Sequence, residues 1–342
     1  MKIKNLVRKN IEDLIPYSSA RDEFNKSDNY IYLDANESSY DNGYNRYPDN
    51  KHPELIALIS NYKKLNKDEL VLCNGTDELI DFVIRVFCEP GKDKIITLNP
   101  TYGMYEVSAK INNVNIVKVD LDHNFQIDIE KVKSQFDDLT KIIFITNPNN
   151  PTGNCFNVDS IIEIIESFNG IVFIDEAYID YSNNSLITKV KMYQNLIISQ
   201  TFSKALGLAG IRLGVGYSNS NLISYLKKVK PPYNINLLTE KKAIENISST
   251  YLDNLQIKET ILERNKLEKK LENLPFVKKV YPSDSNFLLV KVVNANNVYK
   301  YLIDNGIVVR NRSQIKGCEE CLRITVGTPK QNNLLINVLK RI

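Results

Sequence analysis

A lysine, an aspartate and several hydroxyl and amide side chains stand directly after apolar runs of this sequence. Three of these runs lead into residues 147–153 (NPNNPTG), 175–178 (DEAY) and 201–204 (TFSK). The carboxyl ends of parallel strands lie along one edge of an α/β sheet, and ligands bind at that edge. We therefore expect a single site that contains Asn147, Asp175, Tyr178, Thr201, Ser203 and Lys204.

These residue types match what pyridoxal phosphate (PLP) requires of a protein. The cofactor needs a lysine amine for a Schiff base, a carboxylate that keeps its pyridine nitrogen protonated, and donors for its ring oxygen. We predict that Lys204 binds the cofactor and is the catalytic base, with a pKa lowered by its neighbours. Asp175 is predicted to pair with the pyridine nitrogen, and Asn147 and Tyr178 are predicted to hold the ring oxygen.

The phosphate of the cofactor needs a cation and free N–H groups. A helix that begins at residues 74–77 (NGTD) presents such N–H groups to an anion, and Arg212 supplies the cation. We expect Tyr102, in the segment 99–102 (NPTY), to stack on the cofactor ring. The residues predicted to bind the phosphate are Gly75, Thr76, Asp77, Thr201, Ser203 and Arg212.

Two simpler explanations compete with a PLP site. Any one of these motifs is an ordinary turn, but their joint occurrence, in order and each after an apolar run, favours the PLP interpretation. Glycines 207, 210, 214 and 216 suggest dinucleotide binding, but their spacing is not G-x-G-x-x-G and a lysine stands just before them. PLP is therefore the predicted cofactor.

The composition excludes several other classes of protein. The chain has 342 residues, and its net charge of +3 is too small for nucleic-acid binding. The two histidines, His52 and His123, lie far apart in the sequence, so we expect no metal site. No run approaches the roughly 18 apolar residues of a membrane span. Five scattered cysteines and the lack of a signal peptide predict a cytoplasmic protein with reduced thiols.

The elements that position the predicted site are those of an α/β fold. Short apolar runs alternate with helical patterns from about residue 55 to 230, which is typical of βαβ units with a mostly parallel sheet. Pro231 and Pro232 stop a helix and mark a boundary to a smaller α+β domain. The predicted strands are 71–72, 94–98, 116–119, 141–146, 170–175 and 196–200, then 286–293, 306–310 and 322–326.

Three motifs closely resemble those of fold-type I PLP enzymes of the aspartate-aminotransferase type. They are residues 147–153, 175–178 and 203–212 (SKALGLAGIR), and the resemblance runs over nearly the whole chain. It implies a large domain with a mostly parallel seven-stranded sheet sandwiched by helices, plus a smaller α+β domain. With the boundary at the two prolines, the predicted domains are an N-terminal arm associated with the small domain (1–30), a PLP-binding domain (31–235) and a C-terminal domain (236–342).

Further segments are similar to the histidinol-phosphate aminotransferases within that group. They include residues 16–18 (PYS), 33–37 (LDANE), 45–49 (NRYPD), 230–234 (KPPYN), 309–311 (VRN) and 322–327 (LRITVG). This resemblance implies a homodimer in which Tyr47 reaches the cofactor phosphate of the neighbouring subunit. It also implies that Tyr17 and Asn36 contact the substrate.

Two arginines bear on the identity of the substrate. Arg323 matches the family's carboxylate-binding arginine, whose planar fork suits the α-carboxylate of an amino acid. Histidinol phosphate carries a phosphate on the equivalent carbon, so its site needs a second cation, which we expect Arg310 to supply. The predicted reaction converts histidinol phosphate and 2-oxoglutarate into imidazole-acetol phosphate and glutamate.

Three other functions stay open at this point. An aromatic amino acid aminotransferase needs Arg323 but not Arg310. A decarboxylase of the same fold that acts on threonine phosphate would not depend on 2-oxoglutarate. A PLP-binding regulatory protein usually carries a DNA-binding domain, and this chain has no spare length for one.

Overall fold

Two β-sheets organise the chain. The computed structural model describes residues 3–18, 30–250 and 255–342. A seven-stranded sheet lies between residues 70 and 217, and a four-stranded sheet lies between residues 277 and 325. Within these described ranges, no helix has the length and apolar character needed to cross a membrane.

The larger sheet is mostly parallel, as predicted. Its strands are β1 Leu70–Asn74, β2 Lys94–Asn99, β3 Asn115–Asp120, β4 Thr140–Thr146, β5 Ile171–Asp175, β6 Leu196–Thr201 and β7 Leu213–Tyr217. Their order across the sheet is β1-β7-β6-β5-β4-β2-β3. β7 runs antiparallel to both of its neighbours, and the other neighbouring strands are parallel. This is the mostly parallel seven-stranded sheet that the resemblance implied.

Helices cover both faces of this sheet. They are α2 Pro53–Lys63, α3 Thr76–Phe87, α4 Met104–Ile111, α5 Ile129–Lys133, α6 Val158–Ser167, α7 Ser220–Val229 and α8 Leu237–Thr250, after a short α1 at Lys9–Glu12. Ile143 and Ile145 of β4 face a core with α2, α5, α6 and α8. Ile142 and Phe144 face a second core with α3, α4 and α7. Because both faces are buried, the central strands consist of continuous apolar runs.

The smaller sheet is antiparallel throughout. Its strands are β8 Val277–Val280, β9 Phe287–Val292, β10 Arg310–Asn311 and β11 Cys321–Thr325, in the order β10-β11-β9-β8. Helices α9 Leu255–Glu272, α10 Ala295–Asp304 and α11 Pro329–Leu339 share its core, for example through Leu267, Leu302 and Leu335. α11 is the closing helix expected after Pro329, and Thr328 caps it.

Three details of the strand prediction differ from the structure, since β7 and β8 were both missed and the strand predicted at 306–310 is displaced. β7 was not expected, because Gly214 and Gly216 interrupt its apolar pattern. Gly214 lies so close to α3 that an added Cβ would be 2.6 Å from the backbone nitrogen of Thr76. Of the strand predicted at 306–310 only Arg310 is in a strand, since α10 ends at Asp304 and a turn follows it at residues 305 and 306. Gly306 has a positive φ of 76°, and Ile307 N donates to Leu302 O at 2.8 Å.

The prolines at 231 and 232 separate two helices. α7 ends at Val229 and α8 begins at Leu237, which confirms the predicted helix stop. Ala243 of α8 belongs to the core of the larger sheet. The division into domains at residue 235 stays a prediction.

Candidate active site

The predicted site lies at the carboxyl ends of three adjacent strands of the larger sheet. Thr146 at the end of β4 pairs with Asp175 at the end of β5, and Asp175 pairs with Ser199 of β6. A cavity opens at this edge. The predicted residues that line it are Thr76, Asp77, Tyr102, Asp175, Tyr178, Thr201, Ser203, Lys204 and Arg212. The parallel register therefore brings together side chains that are more than 100 positions apart in the sequence.

Asp175 forms the floor of this cavity, and both of its carboxylate oxygens are hydrogen-bonded. Tyr105 Oη donates to Oδ2 at 3.0 Å, while Ser199 Oγ at 2.9 Å and the backbone nitrogen of Ala177 at 3.1 Å donate to Oδ1. Burial raises the pKa of Asp175, and these three hydrogen bonds oppose that rise because they favour the charged form. Asp175 is thus held as a fixed acidic group at the floor of the cavity, which Asp77 also lines.

Tyr105, which was not predicted, donates one of these hydrogen bonds to Asp175. Its side chain is fully buried, and its ring stacks on Phe144 at 4.7 Å between centroids. Its hydroxyl also lies 2.7 Å from Thr146 Oγ1. A tyrosine on the buried face of α4 needs a partner for its hydroxyl, and that need was the available signal in the sequence.

Lys204 lines the same cavity, and its side chain is exposed in this chain. Its Nζ is 5.6 Å from the centroid of the Tyr178 ring. Partial burial lowers the pKa of Lys204, and the positive charge of Arg323 lowers it further, while Asp175 acts in the opposite direction. A lowered pKa favours the neutral amine that a nucleophile or proton acceptor needs.

The start of α3 and the guanidinium of Arg212 form a second part of the cavity wall. Gly75 precedes α3 with a φ of 73°, and an added Cβ there would lie 2.6 Å from Arg212 Nη2. Ser203 N donates to Thr201 Oγ1 at 3.1 Å, and Tyr102 Oη donates to Asp77 Oδ1 at 3.0 Å. Free helix N–H groups, hydroxyls and a guanidinium therefore converge at one place, as anion binding requires.

Asn147 does not line the cavity, whereas Asn150 does. Asn147 is fully buried, and its Oδ1 accepts from the backbone nitrogen of Phe156 at 2.8 Å. Asn150, three residues further on, contacts Arg323 Nη1 through its Oδ1. The motif 147–153 contains three asparagines, and the sequence alone did not indicate which of them faces the cavity.

Arg323 reaches the cavity from the smaller sheet. Besides Asn150, it contacts Phe287, whose ring centroid lies 5.3 Å from the guanidinium carbon. Phe287 in turn packs edge-on against Tyr178 at 5.1 Å. Arg310 pairs with Arg323 across β10 and β11, but its side chain is exposed. Arg312, which was not predicted, is half-buried nearby.

Three predicted residues lie away from the cavity in this single chain. Tyr47 is 50 % exposed and stacks on Tyr233 at 4.4 Å, and Asn36 lies beside it on the same surface. Tyr17 is 73 % exposed and lies near His52 on a different surface. None of these three residues is among those that line the cavity of Lys204 and Asp175.

The residues around the cavity fit PLP. A lysine with a lowered pKa and a buried, hydrogen-bonded carboxylate line the same cavity. The Arg212 guanidinium packs directly on Gly75, where any Cβ would lie 2.6 Å from Nη2, so this glycine allows the cation to stand at the N-terminus of α3, where a phosphate would bind. The donor set therefore supplies a partner for the aldehyde, the pyridine nitrogen and the phosphate.

The fold and the site define a class of protein, the fold-type I transferases. The chain belongs to the aminotransferase class I and II family, whose model matches residues 25–339. It is 48% identical over 342 residues to a histidinol-phosphate aminotransferase of Flavobacterium psychrophilum, with 99% of each chain covered.

Two solved structures have the same fold. The histidinol-phosphate aminotransferase of Clostridium acetobutylicum has a TM-score of 0.78 and 31% identity, covering 86% of this chain and 90% of its own. The enzyme of Sinorhizobium meliloti, solved in complex with pyridoxal-5'-phosphate, has a TM-score of 0.80 and 19% identity, covering 86% of this chain and 82% of its own.

Proposed function

We propose that this chain is a PLP-dependent aminotransferase that converts histidinol phosphate and 2-oxoglutarate into imidazole-acetol phosphate and glutamate, in histidine biosynthesis. The observation that carries the proposal is that Lys204 and Asp175 line one cavity, with Arg323 close enough to lower the pKa of the lysine. The names of the relatives at 48% and 31% identity support the choice of substrate.

The residues of the cavity have different roles in the proposed reaction. PLP supplies an electron sink for the carbanion that forms at the substrate α-carbon. Lys204 is the group that holds the cofactor and then, as a free amine, moves the proton from the α-carbon. Asp175 keeps a negative charge next to the pyridine nitrogen, held in place by Tyr105 and Ser199.

Other side chains bind the cofactor and the substrates and orient them. Arg212, Ser203, Thr201 and the N-terminus of α3 take the cofactor phosphate, and Tyr178 takes the ring oxygen. We assign the second contact to the ring oxygen to Asn150 rather than Asn147, because Asn150 lines the cavity. Arg323 binds the anionic group of each substrate, a phosphate in one half-reaction and a carboxylate in the other.

A transamination assay with histidinol phosphate and phenylalanine as amino donors tests this function. With 2-oxoglutarate as acceptor, we expect glutamate to form much faster from histidinol phosphate. A higher kcat/KM with phenylalanine would instead identify an aromatic amino acid aminotransferase. Product formation from threonine phosphate without 2-oxoglutarate would identify a decarboxylase.

The proposal includes a homodimer in which Tyr47 of the partner subunit completes the cofactor site. The segment around Tyr47 exposes several large apolar side chains, which a second copy would cover. Exposed fractions are 86% for Ile31, 82% for Leu33 and 87% for Tyr40. Isolated apolar side chains are common on surfaces, but several in one short segment favour an interface.

Mixed dimers test this arrangement. Lys204→Ala and Tyr47→Phe subunits are each expected to be impaired alone. A mixed dimer contains one site with an intact Lys204 and an intact Tyr47 contributed by the other chain, so activity should partly return. No recovery in confirmed mixed dimers would show that Tyr47 does not act across the interface.

The proposed location is the cytoplasm. The structure leaves all five cysteines unpaired, which is the usual state of cysteines in a reducing compartment. Fractionation of cells with an antibody against the chain tests this, and recovery in a secreted fraction would contradict it.

A further inference from the structure

Three arginines share one face of the two-stranded ribbon formed by β10 and β11. Arg310 lies directly opposite Arg323 in the antiparallel register. The pairing extends one residue beyond β10, where Arg312 N donates to Cys321 O at 2.8 Å. Because side chains alternate along a strand, Arg310 and Arg312 point to the same side, the side that carries Arg323.

This arginine cluster (Arg310, Arg312 and Arg323) has no carboxylate partner among the described residues. Arg323 contacts the neutral amide of Asn150, and the Nε atom of Arg312 is buried without a hydrogen-bond partner. Burial lowers the pKa of Arg323, and the charges of Arg312 and Arg310 lower it further. Like charges placed side by side on a sheet are destabilising, so an anion is needed to offset them.

Arg312 points toward the active site rather than into bulk solvent. It lines a polar vestibule together with Tyr102, Asn150, Glu106, Lys118 and Lys316, and the first two of these also line the cofactor cavity. The acidic groups there are already paired, since Glu106 lies 2.6 Å from Lys118 and Asp120 lies 2.5 Å from Lys316. Arg312 is therefore an uncompensated cation at the entrance to the site.

We propose that Arg312 is a specificity-determining residue that binds the distal phosphate of the substrate beside Arg323. This inference rests on the proposed function and adds a third cation to the two that the sequence indicated. A phosphate dianion gains from a second half-buried guanidinium, whereas a carboxylate with one negative charge is satisfied by Arg323 alone. Arg310, which is exposed, contributes a positive field at the edge of the cluster.

The test compares Arg312→Gln with the matched control Arg85→Gln, an arginine on the surface that pairs with Asp81 of its own helix. Both variants are prepared with PLP, and two quantities are measured for each. One is kcat/KM for the half-reactions with histidinol phosphate and with glutamate, followed by cofactor absorbance. The other is the dissociation constant of inorganic phosphate, measured by calorimetry on the PLP-loaded enzyme at a pH where the ion is a dianion.

We expect Arg312→Gln to lose about ten- to a hundredfold in kcat/KM for histidinol phosphate, as for the loss of one charge-assisted contact. Its kcat/KM for glutamate should change by less than about threefold, and its affinity for inorganic phosphate should fall by a factor similar to that for histidinol phosphate. Arg85→Gln should leave all three values unchanged. Arg312→Lys should fall between the wild type and Arg312→Gln, and it replaces the glutamine variant if that protein does not fold.

Two results separate the failure of this inference from the failure of the proposed function. If the wild type turns over histidinol phosphate but both Arg312 variants match it for all three quantities, or lose equally for both substrates, the inference is wrong. If the wild type does not turn over histidinol phosphate, the proposed function fails. The calorimetric titration still decides whether Arg312 binds phosphate.

Discussion

The two charged regions of the active site are built in opposite ways. At the floor, the carboxylate of Asp175 is enclosed and receives hydrogen bonds from Tyr105, Ser199 and the backbone of Ala177. At the entrance, the arginine cluster gathers three positive charges and no negative one among the described residues. The carboxylate at the floor already has its hydrogen-bond partners within the protein, whereas the arginines at the entrance need a negative charge from a ligand.

This difference corresponds to what each region must do. A cofactor stays in place through many reaction cycles, so a preorganised carboxylate with fixed partners serves it best. Substrates with different anions enter and leave, so their site must gain its counter-charge from the ligand itself. Lys204 lies between the two regions, and its pKa responds to both Asp175 and Arg323.

Removal of Lys204 gives the largest expected effect, because this residue links the floor to the entrance. Lys204→Ala should lose at least about a thousandfold in kcat, since both the cofactor attachment and the proton transfer depend on its amine. Steady-state turnover measures this loss. Lys110→Ala, an exposed lysine on α4, is the matched control and should keep wild-type activity.

Substitution at the entrance should affect both substrates when the shared arginine is removed. Arg323→Gln should lower kcat/KM by about ten- to a hundredfold for histidinol phosphate and for glutamate alike. Single-turnover experiments with each amino donor measure the two losses separately. A loss confined to one donor would mean that the two anions bind at different places.

The same variant should also shift a pH profile. Arg323 lowers the pKa of Lys204, so its removal should move that pKa upward, toward the ordinary value of 10.5. Since only the neutral amine captures PLP, the midpoint for PLP capture by the apo-protein should move to higher pH in Arg323→Gln. Rates of absorbance change across a pH series give this midpoint. An unchanged or lower midpoint would contradict the coupling.

Substitution at the floor should weaken the cofactor without unfolding the protein. Tyr105→Phe removes one hydrogen bond to a charged group, which is worth about 1.5–3 kcal/mol, so PLP should bind about ten- to a hundredfold more weakly. Tyr193→Phe, which breaks the exposed hydrogen bond to Glu166, is the matched control. Equilibrium dialysis with PLP measures both affinities, and equal values would mean that Tyr105 does not position Asp175.

A smaller effect, on stability, is expected at the contact between β7 and α3. This contact positions the start of α3, where the cofactor phosphate is proposed to bind. Gly214→Ala would push a Cβ to 2.6 Å from Thr76 N and should destabilise the fold by about 1–3 kcal/mol. Gly210→Ala has no atom within 4 Å of the added Cβ and should be nearly neutral. Urea unfolding compares the stabilities of the two variants. Equal midpoints would show that β7 shifts away from α3 and so avoids the clash.

The sequence was informative where a motif residue also marks the end of a strand. Asp175, Thr201 and Lys204 follow buried runs directly, so the parallel sheet had to bring them together. Tyr105 and Arg312 could not be found in this way, because their roles depend on tertiary packing. Tyr105 meets Asp175 across 70 residues, and Arg312 joins Arg323 only through the register of β10 and β11.

β7 shows the same limit at the level of the fold. Its sequence, LGVGY, has too few large apolar residues to be recognised as a buried strand. The glycines are required by close contacts with α3 and with Leu79 and Val71, which are tertiary facts. An apolar pattern therefore predicts strands that bury large side chains. It misses a strand such as β7, whose residues must be small because neighbouring elements pack closely against it.

We propose that the cavity containing Lys204 and Asp175 holds the cofactor, and one measurement tests this directly. Borohydride reduction of the PLP-loaded protein fixes the cofactor to the lysine that holds it, and peptide mapping then locates the added mass. We expect the label on Lys204. A label on another lysine with a lowered pKa, such as Lys63 or Lys227, would contradict it.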